Sequence, residues 1–239
     1  MDGGLDRAIK PKTFAADVAM RTLLSAGAEL HEAPRSIAIE VTESPKEFAK
    51  ALQLMAELPV EVGIAYDRRR KALIAMTGEE GAVMHSALLE DTSFREPMIE
   101  RIATGPWLHN HPSMGGVAKD SPGVTDWQSL REAAGQSGIL RSWIISKNGI
   151  TTFSIPPDAV VVGEENVKKA FEEIWDFVDE CKEVGLSGDP STFTETEIRQ
   201  ISDLEAAFAA KFGGTSEMIS WENSEKIKEA ASAILQLCK

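Results

Sequence analysis

At 239 residues, 43% of them hydrophobic, the chain has material for one large domain or for a medium domain with an appendage. Its formal net charge of -13 repels phosphate backbones and argues against broad nucleic-acid binding. No apolar run approaches the roughly 18 residues that span a bilayer, and the opening MDGGLDRAIKPKTF lacks the apolar stretch of a secretory leader. Cys181 and Cys238 lie far apart and without metal-ligand spacing. They predict neither a disulfide framework nor a cysteine zinc ribbon, so the expected compartment is the reducing cytoplasm.

In chain order, residues 13–30 have helical apolar spacing, and residues 36–41 alternate like a strand. Ser44 then stands as an N-cap, with Pro45 at the first helical position and Glu47 three residues on, which opens a helix to about Leu58. Two strand-like runs follow, at 60–67 and 72–76, joined by Arg68-Arg69-Arg70-Lys71, which reads as a solvated hairpin turn. Residues 97–103 suggest a short helix, and 107–112 a strand stopped by its proline. Residues 113–124, rich in Gly, Ser and Pro, form a loop. Thr125 with Gln128 reads as a capping box starting a helix. That helix buries Trp127, Leu130 and Ala134 and ends at Gly135 or Gly138. Strands at 139–146 and 150–155 flank the hairpin signal Lys147-Asn148-Gly149. Beyond Pro156-Pro157 come charged amphipathic helices at 164–185, 194–212 and 224–238, the first with an apolar line through Phe171, Ile174, Trp175 and Val178. The expected layout is an α/β unit over 36–157, a helical N-terminal extension over 1–35 and a helical C-terminal extension over 158–239.

Two of the four histidines stand at His109 and His111. In a strand, positions i and i+2 share a face, so both imidazoles can reach one ion while Asn110 points the other way. Asp126, opening a helix just after the loop, is placed to complete the three protein ligands that a hydrolytic zinc site needs. The same residues also admit an ordinary explanation. A histidine pair can be simple surface polarity, and an acid in a first helical turn is already favoured by the helix dipole. His31 and His85 stand alone and read as ordinary residues.

The run His109-Asn110-His111-Pro112-Ser113, followed by Pro122-Gly123-Val124-Thr125-Asp126-Trp127, resembles the signature of the JAMM (MPN+/JAB) metalloproteases. That pattern is a Glu, a long gap, His-x-His-Pro, a loop and Ser-x-x-Asp. The wording is closest to the bacterial branch, with its RadC-like and phage-associated proteins, and the likeness covers about residues 59–155. It implies a JAB/MPN-like mixed β-sheet flanked by helices, and one zinc per chain held by His109, His111 and Asp126. The implied activity is that of a peptidase or isopeptidase, with a carboxylate moving the water proton. The implied partner is a protein or peptide substrate, a ubiquitin-like tail among them. The RadC-like wording alone suggests a nucleic-acid role, which the acidic balance opposes, and no membrane partner is expected. By position the family's Glu falls on Glu61. In the run 60–66 the bulky Val60, Val62, Ile64 and Tyr66 share one face, while Glu61, Gly63 and Ala65 share the other. Glu79 and Glu80, beside Gly78 and Gly81, are the reserve candidates.

Two departures stand out. The loop after His111 is longer than the family's usual spacing, and the family's Ser falls on Gly123. That Ser helps stabilise the oxyanion, so its loss is expected to weaken catalysis more than metal binding. Ser121 is the nearest substitute, since Thr125 is expected to cap the helix, and the Gly123 backbone N–H is the other support. A second function class follows: a catalytically silent scaffold binding partners through its acidic helical extension. An HNH nuclease is set aside, because the two histidines flank a single Asn and no further His lies downstream.

Overall fold

The computed structural model describes residues 36–40, 44–58, 61–67, 72–77, 107–113, 118–187 and 192–237. The expected helices at 13–30 and 97–103, the turn at 68–71, His31, His85, Glu79, Glu80 and Cys238 lie outside them. The described residues form a mixed α/β fold around one seven-stranded sheet. The strands are β1 (Ser36–Glu40), β2 (Val62–Asp67), β3 (Ala72–Thr77), β4 (Trp107–Asn110), β5 (Arg141–Ile145), β6 (Gly149–Ser154) and β7 (Thr215–Ser220). Their spatial order is β1-β3-β2-β4-β5-β6-β7, and every neighbouring pair is antiparallel except β4 with β5.

Helices cover both faces. Helix α1 (Pro45–Met55) is capped as its sequence predicts, with the Ser44 hydroxyl accepting from Glu47 N–H, but it stops at Met55, three residues before Leu58. It packs with α5 (Ser224–Leu237) on one face, where Phe48, Leu52, Ala231 and Ile234 join Ile64, Leu108 and Trp143 in one buried cluster. The other face carries α2 (Val124–Ser137), α3 (Glu164–Glu183) and α4 (Glu195–Ala210), whose Trp127, Leu130, Phe177 and Phe208 surround Ile144 and Phe153. Alternation along β5 supplies both cores, Trp143 and Ile145 to the first and Ile144 to the second. Each such buried side chain contributes about 1.5–3 kcal/mol.

Helix α2 carries the expected buried line of Trp127, Leu130 and Ala134, and Gly138 ends it at a φ of 70°, a left-handed position that suits glycine. Its start differs from expectation. The N-cap is Gly123, while Thr125 is exposed and Gln128 donates to Glu132 at 2.6 Å. The helix therefore begins at Val124, earlier than a Thr125 cap allows.

The C-terminal region is not wholly helical. Residues 215–220 form β7, paired along its length with β6, and a Cβ on Gly149 would stand 2.1 Å from the Ile219 carbonyl oxygen. Side-chain alternation over 215–220 is weak, because most of β7 is exposed, so the strand is set by its partner rather than by its own pattern. The apolar line of α3 is also rotated from expectation. Ala170, Ile174, Phe177 and Cys181 face inward, whereas Phe171 and Trp175 are exposed. Among the described residues, no helix is long and apolar enough to cross a membrane.

Ile234→Ala is expected to cost about 2–5 kcal/mol, because its side chain is fully buried between α5 and the sheet. Trp175→Ala, on the exposed face of α3, is expected to stay within about 0.5 kcal/mol. Chemical denaturation of the two variants checks both values.

Candidate metal centre

Strand β4, the loop after it, helix α2 and parallel strand β5 make a β-α-β crossover. Such crossovers place side chains at the carboxyl end of the first strand opposite the amino end of the helix. His109 is the third residue of β4, paired with Gly63 on one side and Ile144 on the other. Gly63 brings no side chain to the position beside the imidazole. His111 continues the ladder by one bond, its N–H donating to the Ile145 carbonyl at 2.9 Å, so it returns to the same face. Leu108 and Asn110 take the opposite face. Asn110 is fully buried, and its Oδ1 accepts the Val62 N–H at 2.6 Å. That bond ties the start of β2 to β4 and so fixes Glu61 beside the histidines.

The structure brings together the three expected metal ligands and the expected base. His109 Nε2 lies 3.0 Å from His111 Nε2 and 3.1 Å from Asp126 Oδ1, and His111 Nε2 lies 3.4 Å from Asp126 Oδ2. Glu61 Oε1 stands 4.0 Å from His109 Nε2, beside the triangle rather than in it. All four side chains are mostly buried, with 13–16% of each exposed.

The donor set fits a zinc ion on two counts. Tetrahedral ligands with bonds of about 2.0–2.1 Å stand about 3.3 Å apart, close to the separations of His109 Nε2 from His111 Nε2 and from Asp126 Oδ1. The tautomers agree as well. His111 Nδ1 lies 3.2 Å from the Lys119 carbonyl oxygen, which can only accept, so Nδ1 carries a proton and Nε2 is the ring nitrogen left to meet an ion. Asp126 is oriented by its own backbone, because Oδ2 accepts the Gly123 N–H at 2.6 Å in the first turn of α2.

The electrostatics are those of a tightly coupled group. Burial disfavours ionised Asp126, yet the charge and hydrogen bond of His109, with those of His111, hold its pKa well below the usual carboxylate range. Burial also opposes protonation of His109. The Asp126 charge and hydrogen bond and the Glu61 charge outweigh it and raise the His109 pKa, while the Lys119 charge pulls it down.

The loop residues 119–121 are held from two sides. Asp120 accepts from Ser146 and Asn148 of the β5–β6 hairpin, and its carbonyl accepts from Thr151 at 2.6 Å. Lys119 Nζ donates to Glu205 Oε1 of α4 at 2.6 Å. The Ser121 hydroxyl, expected as an oxyanion donor, is engaged by α4, 2.9 Å from Ser202 Oγ and 3.1 Å from Glu205 Oε2. Burial raises the Glu205 pKa against the pull of Lys119 and Ser121, and the Asp126 charge pushes it the same way.

Lys119, Asp120 and Glu205 are not among the residues that the sequence points to. Lys119 is the single cation of the loop 113–124, and Glu205 interrupts the apolar spacing Ile201, Leu204, Phe208, Ala209. An acid in such a stripe is the one sequence signal that could have found it. No family model, no curated protein and no solved structure matches the chain.

Purified protein is expected to hold about one zinc per chain, measured by elemental analysis after dialysis, and to release it to chelator or to acid as the histidines protonate. His111→Ala and Asp126→Ala should each retain less than about a tenth of it, since each removes one of the three proposed ligands.

Proposed function

We propose that this chain is a zinc-dependent peptidase or isopeptidase of the JAMM type. The observation that carries the reading is the triangle of His109, His111 and Asp126 with the Glu61 carboxylate beside it, 4.0 Å from His109 Nε2. A zinc ion held by the three would supply Lewis acidity, lowering the pKa of water to about 7 and polarising a carbonyl.

The chain's own part is proton movement and placement. Glu61 accepts the proton of the attacking water as its oxygen bonds to the carbonyl carbon, then returns it to the amine nitrogen as the C–N bond breaks. Asn110 keeps that carboxylate in place through Val62. The proposed substrates are amide bonds of proteins or peptides, ubiquitin-like tails among them. One observation favours the scaffold reading instead: Phe171 and Trp175 stand exposed on α3, as residues of a partner surface do.

Glu61→Gln is expected to keep its zinc and to lose hydrolysis by on the order of 10²–10⁴, read on a panel of fluorogenic peptides and isopeptide-linked substrates. A zinc-loaded wild type silent across that panel would favour the scaffold.

A further inference from the structure

Residue 123 lacks the side chain that the resemblance assigns to oxyanion support, and another group stands where that side chain would project. A Cβ built on Gly123 would lie 3.3 Å from Lys119 Nζ, 3.4 Å from Asp126 Oδ2 and 3.4 Å from Glu205 Oε1. The ammonium therefore occupies the corner between the helix start and the proposed metal ligands, and its charge is felt at His109. It is held there by a mostly buried acid, Glu205, whose side chain is 5% exposed against 22% for Lys119. Burying an ion pair costs desolvation that its attraction barely repays, so such a pair is poorly explained by stability alone.

We propose that Lys119 is the oxyanion-binding residue of this site, taking the place left open at Gly123, with Glu205 of α4 holding it. This rests on the metal-hydrolase reading. An ammonium offers three donors, of which Glu205 takes one, so the others can meet an oxygen that gains negative charge. The ligand class is a tetrahedral or carboxylate-like oxyanion adjoining the metal ligands. Because Glu205 comes from the C-terminal region, the site is then built from both parts of the chain.

The test uses full-length protein loaded with cobalt(II), titrated with methylphosphonate and followed by the visible bands of the metal. Lys119→Met is expected to take up cobalt as wild type does and to bind methylphosphonate on the order of tenfold or more weakly. Because that variant leaves Glu205 buried without its cation, Lys119→Met/Glu205→Gln removes both charges and should show the same loss. Unchanged methylphosphonate affinity in the cobalt-loaded double variant overturns the assignment to Lys119 and leaves the metal site standing. A wild type that takes up no cobalt overturns the metal reading, and this inference with it.

Discussion

Three electron-pair donors crowded into one mostly buried corner are the constraint on which the rest of the site depends. His109, His111 and Asp126 meet within 3.4 Å, closer than neutral imidazoles and a carboxylate settle without a shared proton or cation. Each is held by the backbone rather than by chance. The β4 ladder fixes the two rings on one face, the Lys119 carbonyl fixes the His111 tautomer, and the Gly123 N–H fixes the carboxylate. Preorganisation of this kind lowers the entropy that a metal must overcome to bind.

The corner is assembled from distant parts of the chain. Asp120 ties the loop to the β5–β6 hairpin, while Lys119 and Ser121 tie it to α4. Strand β7 extends the same sheet, and α5 shares a core with α1. The region after residue 157 is thus part of the fold's packing and reaches the functional corner.

Much of this is legible in sequence where a local rule applies. Period-two alternation and apolar runs place β1 to β6, turn residues place the Lys147-Asn148-Gly149 hairpin, and i, i+2 spacing puts both histidines on one face. The misses have physical causes. Thr125 has the chemistry of a cap, but the backbone turns at Gly123 and Asp126 does the capping from inside the helix. On α3 two apolar lines overlap at Ile174, and only tertiary contacts decide that Ala170, Phe177 and Cys181 face inward. The short strand β7 and the pairing of Lys119 with Glu205, 86 residues apart, depend on long-range contacts that no local pattern records.

The central claim is that one metal ion is held by two imidazoles and one carboxylate. X-ray absorption at the zinc edge of the purified protein tests it most directly. The account predicts a four-coordinate shell of nitrogen and oxygen at about 2.0–2.1 Å, with the outer-shell scattering of two imidazoles. A shell containing sulfur, or a six-coordinate oxygen shell without imidazole scattering, would contradict it.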